Sequence, residues 1–316
     1  MNIIGVESLV YGSEDVDAGI RFYQDFGVPL TERNDAGAVF TLPDRTTVLL
    51  RRIDDPDLPP PSVPGSTVRE TIWGVDSAKT LDAVKAALSG DREITQTADG
   101  VLHTADDHGY RIGFRVSARI AHTLRLPATN TVGAVQRRDQ RADGVTARRA
   151  RPERIGHVVF WAPGDLDHAA RFYTDRLGFK LTDAVKGLGL FLRCGASHDH
   201  HNLFLQQRGE FAGFQHVSFE VADFDEVMMC GNHLEAQGWK SHLGPGRHVL
   251  GSNLYWYFWN PAGGVAECYS DMDYITDDWV PKHYDAVPGG GSSWSARPQD
   301  QGLRPGHGDW PTMIRS

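Results

Sequence analysis

Two histidines and a glutamate, His157, His216 and Glu267, are the residues of this chain best suited to chemistry. Each lies in a segment whose alternation of apolar side chains predicts a strand. Two neutral imidazoles and one carboxylate can hold one face of a divalent metal and leave its other positions open. That donor set suits ferrous iron in sites that use dioxygen. A lone histidine on a strand is ordinarily structural, but three ligand-type residues at matching places of a repeated unit are not explained that way. Glu267, between Ala266 and Cys268, would be costly to bury without a cation.

More reactive side chains surround these three. Gly246-Arg247-His248 precedes an apolar run that reaches Tyr257, and Asn260-Pro261-Ala262-Gly263 then makes a turn before Glu267. If that hairpin closes symmetrically on Ala262, Tyr257 stands opposite Glu267, with Cβ atoms about 5 Å apart. His198, His200 and His201 form a cluster, and His201 opens an alternating stretch 15 residues before His216. An imidazole there suits acid–base work, because its ordinary pKa lies near working pH.

The order Gly246-Arg247-His248, a gap, Tyr257, Asn260-Pro261-Ala262-Gly263 and Glu267 closely resembles the signature of ring-cleaving extradiol dioxygenases of the vicinal-oxygen-chelate superfamily. One departure is Trp256, where a smaller aliphatic residue is usual; it is expected to alter pocket shape and to remove no reactive group. The resemblance implies that His157, His216 and Glu267 hold Fe(II), with Mn(II) fitting the same ligands. It implies that His201 is the acid–base residue, with His200 the alternative, and that His248 and Tyr257 hydrogen-bond the substrate oxygens. The substrates would be a small aromatic diol and dioxygen, and the product a muconic-semialdehyde-type acid opened beside the two hydroxyls. A hydroquinone-cleaving enzyme and a glyoxalase-like isomerase remain alternatives. Arg247 is either exposed or pairs with an anionic substituent. Trp161, Phe191, Trp256 and Trp259 are the rings available to a substituted or bicyclic catechol.

The elements that must position these residues form an internal repeat. Residues 4–32 and 155–183 share a strand–helix–Gly–strand pattern, with Arg21-Phe22-Tyr23 matching Arg171-Phe172-Tyr173 at an offset of 150. Each half restarts, at 69–90 and at 215–237, so the chain reads as four βαβββ-like modules. The predicted class is α+β. The resemblance implies two tandem vicinal-oxygen-chelate domains, each an incompletely closed barrel of two modules. The expected division is 1–120, a non-catalytic domain; 121–153, a linker ordered in part through Leu124 and Leu126; 154–270, the catalytic domain; and 271–316, a tail. The tail is either disordered or a flap carrying Trp294 and Trp310. On this alignment the first-half counterparts of His157, His216 and Glu267 are Glu7, Glu70 and Gly113, which cannot rebuild the triad.

The whole chain bounds the rest. Its 316 residues suit about two domains, and a net charge of −9 argues against a nucleic-acid or anionic-membrane surface. No apolar run reaches the ~18 residues of a membrane span. The N-terminus lacks a signal-peptide pattern. Three cysteines without a CxxC pair make no disulfide framework. The expectation is a cytoplasmic homo-oligomer that binds neither nucleic acid nor membrane.

Overall fold

The computed structural model describes residues 1–121, 128–142, 145, 149–286 and 291–296. Each half of the chain builds one sheet from two modules. In the first sheet the strands run Leu30–Asn34, Gly37–Thr41, Thr47–Arg52, Ile3–Ser13, Thr67–Val75, Arg111–Val116, Leu102–Ala105, Thr95–Gln96. The second repeats that order: Lys180–Lys186, Gly189–Arg193, Leu203–Gln206, Arg154–Trp161, Gly213–Glu220, Val265–Ser270, Leu254–Trp259, Ser241–His248. In every module the first strand is parallel to the last, and the two modules of a half meet at an antiparallel pair of first strands. Among the described residues the two edges of neither sheet pair with each other, so both remain open.

Local sequence explains the helices that cover the sheets. Val16–Phe26 starts at Asp15, whose carboxylate accepts from Ala18 N, and ends at Gly27 with φ +99°. Its buried Ile20, Phe22, Tyr23 and Phe26 follow a helical period. Phe224–Ala236 is capped by Asp223 in the same way. The two halves share one apolar core. Phe22 meets Trp239 edge-on at 5.1 Å, and Asn260 Nδ2 donates to Tyr23 Oη at 2.9 Å.

One expectation needs correction. Strand register makes Gly113 and Glu267 equivalent, because Gly113 pairs with Ile72 and His103 as Glu267 pairs with Ser218 and Tyr257. The same register carried one strand further makes Ser8, not Glu7, the counterpart of His157: Ser8 pairs with Ile72 as His157 pairs with Ser218. Both strands have a register shift just before this point, at Glu7 and at Gly156. The helices, capped by Asp15 and Asp165, match at an offset of 150 but the strands at 149, because the strand-to-helix loop is one residue longer in the second half, so the helix offset carried into the strand misses by one residue. Glu7 points elsewhere, accepting from Ser117 Oγ and Ala118 N.

Where it is described, the tail is held by the second sheet. Lys282–Asp285 adds to one edge of the second sheet and Ser292–Ser295 to the other. Leu124, Leu126 and Trp310 lie outside the described residues. No helix among the described residues is long and apolar enough to cross a membrane.

Candidate active site

Three neighbouring strands of the second sheet carry the triad. His157 lies on Arg154–Trp161, His216 on Gly213–Glu220 and Glu267 on Val265–Ser270. All three are buried. His157 Nε2 is 3.1 Å and His216 Nε2 3.6 Å from the same oxygen, Glu267 Oε2. The two Nε2 atoms are 3.4 Å apart, and all three donor atoms fall within 4.8 Å of one another. His216 Nδ1 bonds the Gln215 carboxamide oxygen, so Nδ1 carries the proton and the Nε2 lone pair is left free. His157 Nδ1 is buried with no hydrogen-bond partner. Burial alone would raise the Glu267 carboxyl, but the adjoining His157 and His216 rings, when protonated, pull it well below the usual carboxylate range. A fully buried carboxylate beside two imidazole nitrogens is a donor set that could hold a cation, and it fits Fe(II) or Mn(II).

Tyr257 stands directly opposite Glu267 in the antiparallel register. Its ring meets His216 edge-on at 5.1 Å, and its hydroxyl lies 2.9 Å from His248 Nε2. His248 Nδ1 is 3.0 Å from the Gly291 carbonyl, which can only accept. In the neutral ring Nε2 is therefore the acceptor, and the Tyr257 phenol donates to it. Burial lowers His248 and, with the Glu267 charge, holds Tyr257 well above the ordinary phenol value. The tail thus reaches the site through Gly291.

His201 is buried, with its ring centroid 4.1 Å from that of His157. Its Nδ1 is 3.1 Å from His200 Nδ1, and His200 Nε2 is 2.8 Å from Asp183 Oδ2. A carboxylate only accepts, so His200 donates from Nε2 and accepts at Nδ1. His201 then donates from Nδ1, and its Nε2 is unprotonated. Burial, with the neighbouring imidazoles, holds His201 well below the usual histidine value. His198 is elsewhere, stacked on Tyr274 and bonded to the Ile275 carbonyl.

A cavity of about 240 Å³ opens over these groups, and His157, His216, His201, His248 and Tyr257 all line it. Glu267 lies behind, fully buried. Of the four aromatic residues singled out, only Phe191 reaches the cavity. Trp256 does not shape the pocket: it lies on the opposite strand face, against Gly231, where a Cβ would come within 1.9 Å of the indole. Trp161 packs on Phe211 and Trp259 beside His242. Arg247 is tied to Asp271 and the Ser252 carbonyl, and does not line the cavity.

Three contributors escape sequence reasoning. Ser218 Oγ donates to Glu267 Oε2 and lies 2.7 Å from His157 Nε2. It shares a strand face with His216 two residues away, a signal that alternation could have supplied. Asn253 Nδ2 donates to Glu267 Oε1 at 3.2 Å, and Asp183 anchors the histidine chain. Both arrive from distant segments without a local pattern.

Known proteins agree with this architecture. Residues 154–265 match the model of the Glyoxalase/Bleomycin resistance protein/Dioxygenase superfamily. The chain is 35% identical over 128 residues to metapyrocatechase 2 of Cupriavidus necator, covering 40% of this chain and 39% of that protein. It is 29% identical over 146 residues to an iron-dependent extradiol dioxygenase of Rhodococcus jostii (strain RHA1), covering 42% of this chain and 48% of that one. The match therefore spans less than half the length of either relative. The fold is shared over the whole chain with a Mn(II)-bound glyoxalase from Novosphingobium aromaticivorans, at a TM-score of 0.74 and 22% identity, covering 98% of that structure.

Proposed function

We propose that this protein is an extradiol dioxygenase that opens the ring of a catechol-type substrate beside its two hydroxyls. The observation that carries the reading is the grouping of His201, His248 and Tyr257 around the triad in one cavity. A shared fold does not separate ring cleavage from isomerisation, whereas three proton-handling groups beside one metal face match the needs of a diol. The names of the two sequence relatives support the same reading.

His157, His216 and Glu267 would hold Fe(II), with Mn(II) accommodated by the same donors. Bound there, the ion supplies the one-electron chemistry that lets triplet dioxygen react with a closed-shell diol. The protein does the rest. The unprotonated Nε2 of His201 takes a proton from a substrate hydroxyl and returns one later. Asp183 and His200 keep that nitrogen free by fixing the tautomer. The Tyr257 phenol turns from His248 to a substrate oxygen, and His248 steadies the same oxygen. The apolar cavity wall excludes water, which strengthens each of these interactions.

Fe(II) should be loaded under argon, catechol added, and air admitted while oxygen uptake and visible absorbance are followed. One oxygen consumed per yellow, ring-opened product supports the reading. A product made without oxygen uptake would identify an isomerase, and cleavage of hydroquinone but not catechol the para-diol alternative.

A further inference from the structure

We propose that the cavity selects catechols bearing uncharged, apolar substituents and rejects those bearing a carboxylate; this rests on the catechol reading above. Beyond the reactive groups the wall is built largely of Val185, Leu188, Phe191, Phe204 and Leu250. Phe191 and Phe204 stack in parallel at 4.0 Å, and the Phe191 ring lies 5.1 Å from His201. The apolar wall thus begins beside the acid–base histidine and continues outward.

These residues are not apolar because the core requires it. Val185, Leu188, Phe191 and Leu250 form, with Tyr284 of the tail strand, a small cluster separate from the main core. Leu188, Phe191 and Leu250 are only partly buried. Apolar side chains left facing a cavity are surface that a ligand can cover.

The charges around the cavity favour the same substituents. No arginine or lysine lines the cavity among the described residues. Arg247, adjacent in sequence to His248, is committed to Asp271 at 2.8 Å. Of the polar lining groups, Gln215 is engaged by His216. His242 lies against Trp259, and burial lowers its pKa. A carboxylate on the outer part of the substrate would lose its water with no arginine or lysine of the lining to pair with. A methyl or phenyl group would only bury apolar surface.

The test is anaerobic calorimetric titration of the Fe(II)-loaded protein with catechol, 3-methylcatechol, 2,3-dihydroxybiphenyl, 2,3-dihydroxybenzoate and 3,4-dihydroxyphenylacetate. The methyl and phenyl compounds should bind roughly 10-fold or more tighter than catechol, the lower end of what one apolar group contributes in a fitted pocket. The two acids should bind at least about 100-fold weaker than 3-methylcatechol, as expected for an unpaired buried charge. Leu188→Arg, at a partly exposed hairpin turn, should recover binding of one of the acids, while Leu188→Ala should not. Acids that bind the unaltered protein as tightly as 3-methylcatechol, with catechol also bound, would overturn the selectivity alone. Failure of catechol itself to bind iron-loaded protein would overturn the ring-cleavage reading and the selectivity with it.

Discussion

The two halves of this chain use one strand order and one register, yet among the described residues only the second brings together a donor set that could hold a metal. Where the second half has His157, His216 and Glu267, the register of the first places Ser8, Glu70 and Gly113. Opposite Glu267 stands Tyr257; opposite Gly113 stands His103. Glu70 is not left bare, because His103 Nδ1 meets it at 2.8 Å. The interiors differ in the same places. Val159 and Phe204 line the cavity, whereas their register equivalents Val10 and Leu49 join Ile72, Leu58 and Val101 in an apolar cluster. The sheet order thus supplies scaffold in both halves, and a few substitutions decide between a packed interior and a reactive one.

The largest effect should come from breaking the difference directly. Glu267→Ala should abolish metal binding, measured by elemental analysis of the folded protein, and with it all ring cleavage. Glu70→Ala, at the equivalent place of His216, should leave metal content unchanged. Full metal occupancy in folded Glu267→Ala protein would sink the triad assignment.

Next is the proton path, which has no counterpart in the first half. His201→Asn should keep the metal and bind catechol normally yet turn over about 10²–10⁴-fold more slowly, the usual loss for an acid–base group. Asp183→Asn should cost about 10–100-fold, as is typical when a supporting partner is lost. It should act on kcat more than on KM, because Asp183 reaches the substrate only through His200 and His201. An Asp183→Asn variant that loses KM and keeps kcat would contradict the tautomer role.

A pH comparison sharpens the contrast between the halves. Glu70 raises the His103 pKa, whereas burial lowers His157, His201 and His248. In the metal-free protein the three lowered imidazoles refuse protons that the unfolded chain accepts below about pH 6.5. Their contribution to stability is full above that pH and lost as pH falls toward the folded values, by up to ~1.4 kcal/mol per pH unit for each group. Chelator-treated protein should therefore melt at lower temperature at about pH 5.5 than at about pH 7.5. In NMR titrations His103 should lose its proton at higher pH than His201. The opposite order would contradict the electrostatic contrast.

The smallest effect concerns the tail. Truncation after Ala286 removes the Gly291 carbonyl that His248 engages and the strand Ser292–Ser295. A rise in KM of a few-fold is expected, on the order of one lost hydrogen bond, with metal content retained. An unchanged KM would show that His248 does not need this support.

Much of this was legible in the sequence, for definite reasons. The modules show themselves through alternation and helical period, and Tyr257 falls opposite Glu267 because a hairpin fixes its own register. The helix offset misplaces the counterpart of His157 because the loop between strand and helix is one residue longer in the second half, a difference that leaves no mark in the periodicity. Trp256 was assigned to the pocket although Tyr257 one residue on already claimed the inner face. Asp183 and Asn253 act through contacts across the fold, 17 residues from His200 and 14 from Glu267. No local pattern announces such contacts.

The central claim is that one half of a duplicated scaffold holds the metal. Anomalous-scattering crystallography at the iron edge on Fe(II)-loaded protein tests it most directly. A single peak is expected among His157, His216 and Glu267, with none beside Glu70 and His103. A peak of comparable height in the first half, or none within the triad, would contradict it.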